Sequence, residues 1–211
     1  MTVSLRRARP RRATTALRIA IAVCVALLAA CHSGAPRAWR LTDVRGHLPD
    51  LRFQLVGGAG GVVSARDFRG KNVLLYFGYT HCPDACPLTM THLHQVMVGL
   101  GPLAKDVRIL FVSVDPARDT PQIVQEYAAA FDPRAVGLTG AMTEIKTLAQ
   151  RYRVAFKRGP DLPGGGYEVT HSSAIYVFDT RGRARLLASP ADTDGDIVHD
   201  LKMLIAAEGS R

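Results

Sequence analysis

Apolar positions fall along the chain in blocks, and their spacing switches between the period of two or the continuous run expected of strands and the 3.6 expected of helices. Leu48–Leu55, a glycine-rich stretch Gly57–Gly61 and Val62–Phe68 predict a β-hairpin closed by a glycine turn. Val73–Phe77 (VLLYF) is continuously apolar, the pattern of a strand covered on both faces. Beyond Gly78–Pro87 the spacing becomes helical, with Leu93, Val96, Met97, Leu100 and Leu103 on one side and Pro87 in the first turn. Val107–Val114 predicts a second buried strand. Thr120 is expected to cap a helix that opens on Pro121 and runs through Phe131. Ile145, Leu148, Ala149 and Tyr152 mark a further helix. Ala174–Phe178 and the residues around Arg185–Ala188 read as two strands turning at Gly182. Ile197, Val198, Leu201, Leu204 and Ile205 give a last amphipathic helix with Asp194 as its cap. No internal repeat is present. The order is hairpin, βαβα, helix, strand pair, helix, which predicts an α/β sandwich: a central mixed β-sheet flanked by helices, with an N-terminal β-hairpin.

One apolar block lies outside this scheme. Ile19–Ala30 is uninterrupted for twelve residues and follows Arg6–Arg18, a basic stretch without acids. As a helix it spans only about 18 Å, short of the roughly 30 Å hydrocarbon core of a bilayer. Basic start, short apolar run and small residues before the break predict an export signal over residues 1–30. The break, Leu28-Ala29-Ala30-Cys31, resembles the lipobox of bacterial lipoproteins, in which the cysteine is lipidated and becomes the mature N-terminus. An uncleaved anchor through the same stretch is the alternative, and both place residues from about 40 onward outside the cytoplasmic membrane. Residues 31–45 are expected to be a flexible spacer, and residues 46–207 the folded domain. Charge agrees with this division. Six of the 27 basic residues lie in residues 1–30, so the formal +9 falls to +3 over residues 31–211, and the basic excess gives no support to a nucleic-acid partner. At 47% hydrophobic and 21% charged, the chain is neither disordered nor fibrous.

The four cysteines are Cys24, Cys31, Cys82 and Cys86. With the first two in the signal and at the lipidation site, the exported domain keeps one pair. A disulfide across four residues closes a very small loop and constrains the unfolded chain little, so the pair points to redox or metal chemistry more than to a structural bridge. The pair sits where a buried strand meets a helix. In helical geometry Cys82 and Cys86 share a face, with Cβ atoms about 5–6 Å apart. That is long for a disulfide but lets two sulfurs converge on one ion. Free N–H groups at a helix start favour thiolates, and soft thiolates select copper(I), zinc or iron–sulfur over hard cations. Two ligands leave the ion incomplete. His171, directly before the apolar strand Ala174–Phe178, is the candidate third, with a satisfied, partly buried histidine as the plain alternative. His92 and His94 do not share a helix face and are expected at the surface, with His47 and His199. His81 adjoins Cys82 and could tune it or ligate, although neighbouring residues often point apart. Tyr76, Phe77 and Tyr79 read as strand core that could also stack on a ligand.

Four ordered motifs, GYTHCPDACP (Gly78–Pro87), VSVDPARDTP (Val112–Pro121), GLTG (Gly137–Gly140) and VTHSSAIYVFD (Val169–Asp179), together resemble the Sco/SenC family, over about Arg45 to Ala207. The resemblance implies a thioredoxin-like fold and copper, as Cu(I) and Cu(II), held by Cys82, Cys86 and His171. It also implies that Cys82 and Cys86 can form a redox-active disulfide. It assigns the CPDAC segment to a loop entering the helix. It implies delivery of copper to the binuclear site of cytochrome c oxidase subunit II, or reduction of that subunit's cysteines. Another periplasmic copper chaperone or a thiol reductase is the further class of partner. Family members are anchored at the N-terminus, which here places the domain at the periplasmic face of the bacterial inner membrane. Asp115 and Asp119 read as loop- and cap-forming residues.

A metallochaperone without turnover is thus the leading expectation. A thiol–disulfide oxidoreductase, with Cys82 attacking and Cys86 resolving, is the alternative. Against it stand the three-residue spacer, where redox motifs carry Cys-x-x-Cys, and the absence of a proline at Thr170-His171. A redox or copper sensor would use the same residues. A peroxidase finds less support, since Thr80-His81-Cys82 is one residue short of Thr-x-x-Cys. No P-loop, dinucleotide fingerprint, His-Glu-x-x-His or Gly-x-Ser-x-Gly motif is present, and Gly164–Gly166 reads as a flexible loop.

Overall fold

A computed structural model describes residues 39–209. The export signal, Cys24, the Cys31 lipidation site and the first part of the spacer lie outside the described residues. Among the described residues no helix is long and apolar enough to cross a membrane.

Ten strands and four α-helices are present among the described residues. Eight strands form one mixed sheet in the order β1-β10-β9-β4-β5-β6-β2-β3. They are β1 (Thr42–Asp43), β2 (Gln54–Gly57), β3 (Val62–Ser64), β4 (Asn72–Gly78), β5 (Val107–Ser113), β6 (Ala135–Thr139), β9 (Ile175–Phe178) and β10 (Ala184–Ala188). The central strands β4, β5 and β6 run parallel, β9 and β2 pair antiparallel on either side of them, and β10 pairs antiparallel with β9. This is the mixed α/β sheet that the apolar pattern predicts. Every residue of β4 is buried, as the unbroken VLLYF run requires. The helices are α1 (Ala85–Leu100), α2 (Pro121–Phe131), α3 (Met142–Arg151) and α4 (Asp194–Gly209), with α1 packed on α4 and α2 packed on β6.

Several local expectations shift for identifiable reasons. Only Gln54, Leu55 and Val56 of the first hairpin arm pair with β3. Ser64 and Asp67 close a capping box, which turns Ala65–Phe68 into a 3-10 turn instead of more strand. The stretch expected to be spacer carries structure from Trp39 onward. Leu41 and Val44 enter the core, β1 pairs with β10, and the amides of Arg40 and Leu41 both donate to Asp200 Oδ2 at 2.9 Å. Thr120 caps α2 through the Ile123 amide as expected, with Pro121 at its first position. Helix α4 is capped by Thr193, not Asp194. The Thr193 hydroxyl accepts from the Asp196 amide, and the Asp196 carboxylate accepts from the Thr193 amide. Asp194 instead reaches His92 Nδ1 at 2.9 Å.

Two features are additional to the predicted scheme. Strand β6 extends the parallel set. Strands β7 (Phe156–Asp161) and β8 (Tyr167–His171) form an antiparallel ribbon separate from the main sheet, closed by a turn in which Gly165 and Gly166 adopt φ of 84° and 82°. The stretch Gly164–Gly166, expected to be a flexible loop, is this turn. Glycine is required there because side-chain-bearing residues avoid positive φ.

Candidate metal centre

Strand β4 ends at Gly78, and the chain turns through Tyr79–Asp84 into α1. Cys82 lies in that turn, half-buried, and Cys86 is the second residue of the helix, fully buried; both are free thiols. The CPDAC segment is thus a loop running into a helix rather than one continuous helical face. The N-cap Asp84 makes no side-chain capping bond. Cys82 Sγ does so instead, accepting from the Cys86 amide at 3.3 Å. A sulfur aimed at free helix N–H groups is held where negative charge is favoured. Glycine at position 78 leaves the room this needs: a Cβ there would lie 2.9 Å from Cys86 Sγ and 2.7 Å from the Phe111 ring.

His171 closes the site from the end of β8. Its Nε2 lies 3.2 Å from Cys86 Sγ, and its Nδ1 lies 3.0 Å from the Ser172 carbonyl. A carbonyl only accepts, so Nδ1 carries the proton and Nε2 presents a lone pair to the sulfur. Tyr76 and Tyr79 pack edge-on against the imidazole at 6.0 and 5.9 Å between centroids. The Tyr76 hydroxyl lies 3.6 Å from Cys86 Sγ. These tyrosines, read from sequence as core with a possible stacking role, are core residues that also line the site.

One ligand atom from each of Cys82, Cys86 and His171 lies within 4.8 Å of the others, so the three could hold one metal ion. Burial pushes the Cys86 thiol up to about 12, against the Tyr79 backbone and the Tyr76 hydroxyl, which favour the thiolate. Burial also lowers His171, the Ser172 carbonyl opposing it, so the ring is neutral at pH 7 and able to ligate. Two sulfurs and a neutral imidazole form a soft, three-membered donor set that suits copper.

The Cys loop is fastened from behind by Asp119, which is buried. Its carboxylate accepts from the Thr80 amide at 3.0 Å, the Thr80 hydroxyl at 2.6 Å and the Ser113 hydroxyl at 2.5 Å. Asp119 is therefore a tie between β5 and the Cys loop, more than the loop-former that spacing suggests. Asp115, also buried, accepts from Arg118 Nε at 2.5 Å and from the Tyr167 hydroxyl at 2.7 Å. Sequence reasoning missed Tyr167 and Arg118. The available signal was alternation, because Tyr167, Val169 and His171 share one face of a strand. Among the described residues no other histidine joins the three-residue cluster. His81, half-exposed, has Nδ1 3.6 Å from Asp119 and 3.1 Å from the Thr80 hydroxyl. His92, His94 and His199 are partly exposed and face Asp194, Asp132 and Asp200.

Comparison with known proteins places the chain among relatives of the same fold. The family model SCO1/SenC matches residues 46–206. The SCO2 homologue of Bos taurus mitochondria is 43% identical over 132 residues, 62% of this chain and 50% of the relative. The chain spans about half the length of the curated relatives it matches. The copper-bound structure of Arabidopsis thaliana ScoI superposes with a TM-score of 0.70 at 32% identity, covering 75% of this chain and 98% of that one. Copper-bound ScoI of Bradyrhizobium japonicum gives 0.67 at 36% identity, covering 74% and 99%. A structure reported for a disulfide switch in BsSco, described as a member of the Sco family of cytochrome c oxidase assembly proteins, gives 0.60 at 26% identity, covering 80% and 98%. The mixed sheet is thus the thioredoxin-like fold of these proteins. With the match running through nearly the whole described domain and both cysteines and the histidine inside it, the chain belongs to the SCO1/SenC family.

Proposed function

We propose that the protein is a membrane-tethered, extracytoplasmic copper metallochaperone in which Cys82, Cys86 and His171 carry one copper ion as cargo. The observation that carries this reading is the convergence of two sulfurs and a proton-free imidazole nitrogen within 4.8 Å at a partly open edge of the fold. Copper bound in the related ScoI structures supports the choice of metal. Cys82 and His171 are half-buried and Cys86 buried, so an incoming ligand reaches the ion from the Cys82 and His171 side. The partner supplies a thiolate, one ligand of this chain leaves, and the exchange repeats until the ion has moved; copper(I) stays copper(I) throughout. The recipient is the binuclear copper site of cytochrome c oxidase subunit II, a reading supported by the oxidase-assembly role described for BsSco.

The test mixes copper-loaded residues 39–211 with the metal-free soluble domain of subunit II. This fragment is a fair reagent, because solved relatives consist almost wholly of the matching domain. Copper arriving in the subunit II domain is expected, and copper remaining on the donor contradicts delivery. His171→Ala is expected to weaken Cu(II) more than Cu(I), because imidazole matters more to the harder ion. The tether is supported by the basic stretch, the apolar run and Leu28–Cys31. Cys31→Ser should release the protein or leave it unprocessed, and unchanged lipid labelling would favour an uncleaved anchor at the periplasmic face of the inner membrane.

A second reading, thiol reduction of the same partner's cysteines, is favoured by one contrast. Cys82 is accessible for attack while Cys86 is buried behind it, the order an attacking and a resolving thiol require. Rapid disulfide exchange on a subunit II peptide without copper transfer would select it.

A further inference from the structure

The metal centre is assembled from two parts of the fold with little direct contact between their backbones. The cysteines belong to the main sheet and α1. His171 belongs to the β7–β8 ribbon, which shares no ladder with that sheet. Four of six residues in β7 are exposed and β8 buries only Val169, so burial alone holds the ribbon weakly. Its base closes on itself, the Ser172 amide donating to the Ala155 carbonyl at 3.0 Å and the Ala155 amide to the Ser172 hydroxyl at 3.1 Å. The first attachment to the main fold is Val169, buried in the core with its backbone hydrogen-bonded to Tyr79. The second attachment is Tyr167, four residues before His171 and about 13 Å along the strand. Its ring lies between two guanidinium groups, Arg118 at 3.7 Å and Arg158 at 3.9 Å from the centroid, and its hydroxyl donates to Asp115 at 2.7 Å. Arg118 is itself fixed by Asp115. Its Nη2 is buried without a hydrogen-bond partner, which leaves stacking to place that side of the group. Arg118 also reaches the Tyr79 ring at 5.8 Å, and Tyr79 packs edge-on against His171.

The segment Asp115–Asp119 therefore touches both halves of the site. Asp119 holds the Cys loop through Thr80, and Asp115 with Arg118 holds the ribbon through Tyr167. We propose that Tyr167 and Arg118 are positioning residues that clasp the ribbon to this segment and so decide whether His171 joins Cys82 and Cys86 on the metal. With the clasp closed, the site offers two thiolates and an imidazole and holds copper in both oxidation states. With it open, two thiolates remain, enough for copper(I) but poor for copper(II). This rests on the metal-ligand reading above and adds to it the residues that set oxidation-state selectivity.

The test is a parallel Cu(I) and Cu(II) titration of wild type, Tyr167→Leu, Tyr167→Phe, Arg118→Ala and His171→Ala, with retained Cu(I) binding reporting an intact Cys pair. Outer partners of a ligand typically tune affinity by 10- to 100-fold. Tyr167→Leu and Arg118→Ala are expected to lose about 10- to 100-fold in Cu(II) affinity and much of the sulfur-to-Cu(II) absorption, with Cu(I) affinity within about threefold of wild type. Tyr167→Phe keeps the stacking and should recover part of the Cu(II) loss. Equal losses for Cu(I) and Cu(II) would make the cluster merely structural and overturn the proposal. Unchanged Cu(II) binding in Tyr167→Leu, alongside a large loss in His171→Ala, would overturn the clasp alone. Unchanged Cu(II) binding in His171→Ala would overturn the ligand reading and the clasp with it.

Discussion

Replacing Gly78 with alanine is the smallest change that tests whether the cysteine geometry depends on the end of β4. The added Cβ would meet Phe111 Cε2 at 2.7 Å, Cys86 Sγ at 2.9 Å and Phe111 Cζ at 3.1 Å. Comfortable non-bonded contact begins near 3.5 Å, so the sulfur must retreat by about 0.6 Å and the ring by about 0.8 Å. Neither has free space. Phe111 is fully buried, with Tyr76 and Tyr127 at 6.1 and 5.1 Å between centroids, and Cys86 is fully buried on α1. Overpacking of this kind costs about 1–3 kcal/mol. The displacement also exceeds the roughly 0.5 Å within which a functional constellation must be held. Denaturant unfolding and a Cu(I) competition titration with a chromophoric chelator measure the two effects. The unfolding free energy should fall by about 1–3 kcal/mol and Cu(I) affinity by about tenfold or more. A Gly78→Ala protein with wild-type stability and affinity would refute the reasoning, since it would show that the sulfur is not confined by this contact.

Three further outcomes follow from the electrostatics and packing. Cys86, pushed up to about 12 by burial, must lose its proton to bind, so this thiol alone should raise Cu(I) affinity about tenfold per pH unit between roughly pH 7 and 9. His171, lowered by burial, is already neutral there and adds no slope; a pH-independent affinity would contradict the assignment. Removing the carboxylate in Asp119→Ala strands the Thr80 and Ser113 donors and should cost about 2–3 kcal/mol while speeding alkylation of Cys82, with unchanged alkylation counting against the tie. Asp179 is buried, which pushes its pKa up, but hydrogen bonds from Arg183 and Arg185 outweigh this and hold it below 3.8. Its stabilisation is therefore complete above that value and lost as pH falls through the lower folded value. Asp179→Asn should flatten the acid limb of a stability–pH curve and cost about 3 kcal/mol at pH 7, whereas an unchanged acid limb would show that the Arg pairs contribute nothing.

The parts legible in the sequence were those whose burial is set by one segment alone. Val73–Phe77 and Val107–Val114 are apolar throughout because both sheet faces are covered, and Thr120-Pro121 states a helix start by local chemistry. The parts missed owe their form to distant neighbours. Strand β6 is short and contains Gly137, which reads as a breaker. It is glycine because the α2 backbone passes so close that a Cβ would lie 2.3 Å from the Val124 carbonyl oxygen. Strand β7, FKRGPD, has neither alternation nor an apolar run, and its ribbon is held by arginine–tyrosine stacking that no periodicity reports. Strand β1 has only two residues, anchored by Asp200 some 160 positions away. The site divides in the same way. Cys82 and Cys86 announced themselves by spacing, whereas His171 depended on the family resemblance, because a lone histidine before a strand is ordinary. The contribution of Asp115, Arg118 and Tyr167 appears only once the ribbon folds over the loop.

The central claim is that one copper ion is held by these two sulfurs and this imidazole. The most direct measurement is X-ray absorption at the copper edge on reduced, singly loaded residues 39–211, with wild type set against Cys82→Ser, Cys86→Ser and His171→Ala. Two sulfur scatterers and one imidazole nitrogen are expected in wild type, with one sulfur lost in each cysteine variant and the imidazole signal lost in His171→Ala. A wild-type spectrum without two sulfurs, or one whose imidazole survives in His171→Ala, would contradict the account.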